Sequence, residues 1–328
     1  MRFAFTLLGL GLALSLAIAL SLQVGASYVP LAEVAHALAG QCATPVCTLV
    51  TDARLPRTLA GLVAGIALGT AGVLMQTLTR NPLADPGVLG VNAGASFAIT
   101  VGIAFFSAQS PFAYLAWACA GALAAALLVT LTGMVSGRRF SPVRLLLVGV
   151  ALGAALEGLG SGISLLHPLV YDHVRYWQAG SLDIRDFALL HWAAPAIIGG
   201  VLLALGLARS LDSLGLGDDL AAALGTGVLR TQVLGLLCIT VLCGATTALV
   251  GPVAFVGLMV PHMARRVAGP AHGRALPAVL LITPLLLLLA DTLGRVLTAT
   301  ELRVSIVTAL LGAPMLVLLA RRSRLVAL

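Results

Sequence analysis

The chain has 328 residues, of which 60% are hydrophobic and 9% charged, against roughly 25% charged in an ordinary soluble domain. Nineteen cations and twelve anions cannot coat a folded surface of this size, so a soluble enzyme is excluded. All nineteen cations are arginine. A P-loop ATPase sets a lysine on the nucleotide phosphates, so any nucleotide hydrolysis that drives this protein belongs to another chain.

Apolar runs near or above ~18 residues, enough to span a bilayer core, recur along the whole sequence. They predict an all-α polytopic membrane protein, one transmembrane domain over residues 1–328. Continuous apolar stretches such as Leu285–Ala290 exclude a β-barrel, whose strands alternate apolar and polar residues. Ten spans are expected, at about 3–24, 57–78, 90–107, 112–136, 143–166, 188–208, 229–250, 252–267, 276–297 and 303–320, with the third and eighth the weakest. The first begins like a signal peptide, but its apolar stretch exceeds the ~7–15 residues of a signal h-region and is read as a retained helix.

The loop 25–53 holds Cys42 and Cys47. On an oxidising face they suit a disulfide across a small loop; a metal pair is the other option, with two further ligands missing nearby. Arg54 and Arg57, at the mouth of span two, sit with Arg295 on the same face. Such residues either snorkel or present fixed forks to carboxylates on an outside partner. Span two itself runs Gly61, Gly65, Gly69 and Gly72, the spacing that lets helix backbones approach closely in lipid.

Between spans two and three, residues 80–90 contain two prolines and two glycines, which stop a helix and set turns. The apolar Leu83, Val88 and Leu89 suggest that this loop packs back into the protein. A second break, Val250–His262, interrupts span eight with Gly251, Pro252, Gly257 and Pro261. Paired broken spans point to a pseudo-symmetric transporter, although the repeat of spans 2–5 in 7–10 is faint. Residues 211–227 join spans six and seven. Asp218 and Asp219 suit a helix N-terminus and Gly225 its stop, giving a short helix that is either a connector or a docking element.

Glu157 and Asp291 lie in spans, where a carboxylate is expensive and a functional candidate by default. Asp291 has Arg295 at i+4, so a local ion pair explains it. Glu157 has no such neighbour: it is protonated, bonded to another helix, or on a pathway wall. The six histidines do not cluster, no Ser/His/Asp arrangement follows from spacing, and no cofactor or nucleic-acid site is indicated.

Orientation follows from arginine bias. With both termini cytoplasmic, thirteen arginines and four carboxylates fall inside, and six of each outside. The positive inner surface then faces anionic lipid. An ion-coupled secondary transporter and an inert membrane scaffold are the rival readings from composition.

Arg54-Leu-Pro-Arg57, the run Gln76–Asn92, Gly251–His262 and Leu311-Gly-Ala-Pro314 resemble the FecCD-type permeases, over essentially the whole chain. The stretches Asp52–Gly61, Asn92–Ala98 and Tyr176–Arg185, with the Cys42/Cys47 pair, are most similar to the ferric-enterobactin branch of that family. The resemblance implies a type II ABC importer permease in the bacterial inner membrane. It moves ferric siderophore from periplasm to cytoplasm; another siderophore, ferric citrate, haem or cobalamin is the alternative cargo. Its implied partners are a second homologous permease, two ATPase subunits that hydrolyse ATP with Mg, and a periplasmic siderophore-binding protein. The resemblance also assigns residues. Arg54, Arg57 and Arg295 would meet the binding protein, and Leu216, Gly217, Asp218, Asp219, Leu224 and Gly225 would belong to the ATPase-coupling segment. Glu157, Ser161 and Ser164 would line the pathway.

Overall fold

A computed structural model describes residues 2–41, 45–108, 110–134, 142–167, 170–171, 177–184, 187–298 and 301–326. Cys42, and Arg138, Arg139, Arg175 and Arg185 from the arginine count, lie outside the described residues. Among those described, every regular element is helical.

Helix α1 (Arg2–Gln23) is followed by the short α2 (Leu31–Leu38) and α3 (Pro45–Thr48). A π-helical turn, Leu49–Arg54, then leads without a break into α4 (Leu55–Thr79). After a 3-10 turn at Pro86–Leu89 come α5 (Val91–Phe106), α6 (Pro111–Met134), α7 (Pro142–Leu166) and α8 (Phe187–Gly206). Two short helices, α9 (Ala208–Gly215) and α10 (Asp218–Ala223), precede α11 (Val228–Val250), α12 (Val256–Ala268), α13 (His272–Leu297) and α14 (Val304–Val326). The ten long elements stand where hydropathy places ten spans. Seven are long and apolar enough to cross a membrane by themselves; α5, α12 and the apolar part of α14 are shorter. The chain is a multi-pass membrane protein.

The two weakest spans are short for one shared reason. The loop 80–90 folds back against the bundle, and a Cβ added at Gly257 would lie 2.8 Å from Pro86 Cδ. The two proline- and glycine-broken segments therefore pack on each other and replace helix in both places. Irregular backbone survives inside a membrane protein only where protein or a cavity satisfies it. Here the Ser181 N–H donates to the Val250 carbonyl at 2.8 Å, closing the end of α11.

Helices α4, α11 and α13 form the buried centre, while α1 and α7 are peripheral, with few of their residues buried. The glycines of α4 make its packing possible. A Cβ at Gly65 would fall 2.6 Å from Pro284 Cα of α13, and those at Gly69 and Gly72 would collide with Thr283 and with the Gly257 backbone. A small satellite core of Leu22, Val29, Val34, Cys47 and Val50 caps the end of the bundle that holds Arg54. That end is the mouth end below; the opposite one, carrying α9 and α10, is the short-helix end.

Candidate functional site: mouth, cavity and short-helix end

At the mouth end, helix termination explains where two arginines go. The last carbonyls of a helix have no partner inside it, and cations suit that negative pole. Arg54 Nη1 donates to the Leu22 and Gln23 carbonyls at 2.8 and 2.6 Å, and its Nη2 to Ser27. Arg295 Nη1 donates to the Ser21 and Val24 carbonyls at 2.9 and 3.0 Å. Both side chains thus close the end of α1. Arg57 instead donates through Nε and Nη2 to Asp291, at 2.9 to 3.2 Å, and through Nη1 to Glu301 Oε2 at 2.7 Å. The expected Asp291–Arg295 pair is present at 3.0 Å, so Asp291, 1% exposed, serves two guanidiniums.

This corrects the snorkelling alternative: Arg54, Arg57 and Arg295 are buried, not reaching for the headgroups. They border a polar pocket of about 600 Å³, which Asp183, Glu301 and Arg303 also line. Glu301, which spacing did not single out, holds a left-handed backbone at φ 51° and reaches Arg57 from the rim. Cys47 is disulfide-bonded, while Cys119, Cys238 and Cys243 are free.

A second cavity, of about 1050 Å³, opens on one face of the bundle between α7 and α14. Its walls are kept wide by small residues, Gly149, Gly153 and Ala154 on α7 and Ala309 and Ala313 on α14. Its polar groups are Asp85, Asn92, Glu157, Gln178 and Ser305. Most are held internally. Asn92 Oδ1 accepts from Thr247 at 2.9 Å, Gln178 donates to Ser96 at 2.9 Å, Asp85 accepts from the Gly87 N–H at 2.8 Å, and Ser305 donates to the Ala179 carbonyl. Glu157 is exposed on this wall with no partner among the described residues. Ser161 and Ser164 do not join it on that wall. One and two turns further along α7 the helix leaves the cavity: Ser161 is exposed on the helix surface, and Ser164 turns inward with its Oγ unpartnered.

At the short-helix end, α10 begins at Asp218, as its acidic start predicts, and stops before Gly225. Gly217 at φ 114° and Gly225 at φ 80° adopt a left-handed backbone that a Cβ would oppose, so these two glycines shape the segment. Leu216, Leu220 and Leu224 stand 61%, 58% and 65% exposed, and Asp218 pairs with Arg80 at the end of α4. Spacing gave no hint of a further group. His272 Nδ1 lies 2.6 Å from Asp212 Oδ1 in α9, and its Nε2 2.7 Å from Thr77 Oγ1 in α4. Sixty residues separate the histidine from the aspartate, so only the fold brings them together.

Comparison with known proteins agrees with this architecture. The chain is 59% identical, over 97% of its length and 96% of the relative's, to the ferric enterobactin transport system permease protein FepD of Escherichia coli (strain K12). It is 37% identical, over 92% of its length and 90% of the relative's, to the Fe(3+)-citrate import system permease protein YfmD of Bacillus subtilis (strain 168). The backbone matches a solved inward-facing metal-chelate type ABC transporter with a TM-score of 0.84 and 27% identity, covering 97% of this chain and 99% of that one. The family model of the FecCD transport family matches residues 13–322, and the chain belongs to that family.

Proposed function

We propose that the chain is the membrane permease subunit of an ATP-driven, binding-protein-dependent importer that carries ferric enterobactin from periplasm to cytoplasm across a bacterial inner membrane. The observation that carries this reading is the full-length 59% identity to the Escherichia coli ferric enterobactin permease. The geometry supports it with a polar pocket at one end, an open-sided cavity along the bundle, and exposed leucines at the other end. In this reading the mouth end faces the periplasm, both termini are cytoplasmic, and a second homologous permease covers the open side of the cavity.

The division of labour follows from charge. An anionic ferric chelate is not concentrated by a net positive field here, since arginines and carboxylates balance on the outer side and no cation lines the cavity among the described residues. Capture belongs to the binding protein, whose acidic residues meet the pocket of Arg54, Arg57 and Arg295. The cavity offers small residues and tethered polar groups, a surface that passes a ligand without holding it. Glu157 marks the wall of that passage. ATP with Mg is hydrolysed by two partner ATPases beneath Leu216, Gly217, Asp218, Asp219, Leu224 and Gly225. Their closure biases one of two helix arrangements, which is all that a coupled ligand or partner can do.

The test is uptake of labelled ferric enterobactin into proteoliposomes that hold this chain with its second permease and ATPase, the binding protein outside. ATP-dependent uptake that other ferric siderophores fail to compete is the expected result. Uptake driven by a proton gradient without ATP overturns the importer reading; ATP-driven uptake of a different chelate overturns the cargo alone.

A further inference from the structure

Three sets of polar links, from different parts of the chain, end on a single turn of α4. Gln76 donates through Nε2 to the Leu258 carbonyl of α12 at 3.1 Å and accepts from Arg265 of the same helix. Thr77 meets His272, the first residue of α13, and His272 holds Asp212 of α9. That same carboxylate oxygen also accepts the His272 backbone N–H at 2.8 Å, so Asp212 caps α13 while reaching α4 through the imidazole. Arg80 pairs with Asp218 at the start of α10. Arg80 is also the residue that ends α4, in a left-handed backbone at φ 49° whose N–H returns to the Gln76 and Thr77 carbonyls, a common way for a helix to stop.

At its other end α4 is tied by Arg57 to Asp291 and by Thr58 to Ser21; between them, from Leu59 to Met75, it touches its neighbours through glycines and apolar side chains. Such contacts are non-directional and set no register by themselves. Hydrogen bonds have narrow geometry and are expensive to leave unmade once buried, so the Gln76–Arg80 turn is where the short-helix end of α4 is fixed to α9, α10, α12 and the start of α13. From Arg80 the chain passes directly into the loop 81–90. Asn81 and Asp85 stiffen this loop by accepting from the Leu83 and Gly87 N–H groups at 2.9 and 2.8 Å. Asp85, Gly87 and Gly90 form part of the cavity wall. The short-helix end and the cavity are therefore joined through one helical turn and about ten residues of tied loop.

We propose that the Gln76–Arg80 turn transmits displacement of α9 and α10 to the cavity wall, with Thr77, Arg80 and His272 as positioning residues for energy coupling. This rests on the reading that residues 211–227 meet the ATPase. Loss of a link leaves the ATPase seated and active but lets α9 and α10 move without carrying the loop. ATP is then consumed without matching transport.

The experiment measures ferric enterobactin uptake and ATP hydrolysis in the same proteoliposomes, with the complete importer and its binding protein. For Thr77→Val and His272→Ala, transport per ATP should fall roughly tenfold, within the usual range of coupling between sites, with hydrolysis kept. Thr77→Ser, which restores the hydroxyl, should return the ratio to that of the unaltered chain. Arg80→Asp should uncouple likewise, and the swap Arg80→Asp/Asp218→Arg should recover most of the loss. If uptake and hydrolysis decline in proportion, or if Thr77→Ser is as defective as Thr77→Val, the transmission role is overturned. Should His272→Ala fail to assemble, the threonine pair and the charge swap decide. A separate arm, Leu220→Asp/Leu224→Asp, leaves the turn intact and tests only the ATPase contact. Normal assembly and uptake of that variant overturn the coupling-surface reading, whatever the turn variants do.

Discussion

The two ends of the bundle solve opposite problems. At the mouth end, charge is drawn inward. Asp291 is 1% exposed and Arg57 and Arg295 are 7% and 5% exposed; both arginines pair with Asp291, Arg57 also with Glu301, and Arg295 also closes the end of α1. At the short-helix end, apolar surface is pushed outward on Leu220 of α10 and on Leu216 and Leu224 beside it, in a segment too short to be a membrane span. Buried charge is tolerated only when paired and hydrogen-bonded, so the mouth network is a structural knot whose pocket-facing edge is left for recognition. Exposed contiguous apolar surface in a polar setting marks a contact awaiting a partner. One end is therefore finished by the chain itself, and the other, in the proposed function, is finished by the ATPase.

The sharpest way to break this contrast is to unpair the knot. Asp291→Asn keeps the shape but leaves Arg57 and Arg295 facing each other without their shared counter-charge. Removing one partner of a buried pair costs about 3–5 kcal/mol, so thermal unfolding in detergent should show a large loss of stability. Because the residues act as a unit, Arg57→Gln/Asp291→Asn should lose less than the two single changes summed. Additive losses would mean that the pair is not coupled.

The next effect belongs to the other end. Leu220→Ser/Leu224→Ser removes side chains already in solvent, so the isolated permease should keep its unfolding temperature, as exposed substitutions usually change stability by only ~0.5 kcal/mol. Association with the ATPase should weaken by about 2 kcal/mol or more if these leucines are anchors, read by co-purification and by the concentration dependence of ATPase activity. Equal destabilisation of the permease alone would erase the distinction between the two ends.

How much of this was legible in the sequence depends on the range of each signal. Ten spans followed from local hydropathy, and the Asp291–Arg295 pair from one helical turn. The glycine ladder of α4 declared close packing, and the prolines of 80–90 and 251–261 declared irregular segments. What they pack against was not legible, because Gly257 meets Gly72 and Pro86 only in the fold. Arg57 and Asp291 are 234 residues apart, and Asp212 and His272 sixty, so no periodicity could join them. Glu157 stood out as an odd carboxylate, but the wall it shares with Asn92 and Gln178 exists only once α5, α7 and α14 are assembled. Ser161 and Ser164 lie further along the same helix, beyond the point where this cavity ends.

The smallest expected effect sharpens the comparison most finely. Glu301 is a half-exposed member of the mouth network. Its side chain is 39% exposed, and it holds the one Arg57 nitrogen not committed to Asp291. Asp183 stands 3.9 Å from that same nitrogen, with its side chain 43% exposed. In the proposed function these rim carboxylates occupy the position that an acidic residue of the binding protein would take, so docking would exchange one ion pair for another. Glu301→Gln should therefore change folding stability by less than ~1 kcal/mol, as for other exposed pairs. It should also raise the affinity of the binding protein, because a resident competitor is gone and the pocket is one charge more positive. The gain should shrink as salt is added, since the pocket is open to screening ions. Titration of the binding protein on reconstituted importer at two ionic strengths reads both. Weaker binding by Glu301→Gln would assign the glutamate a different task, bracing the Arg57 fork in the orientation the partner needs, and the mouth would then be finished by its own chain down to the last hydrogen bond.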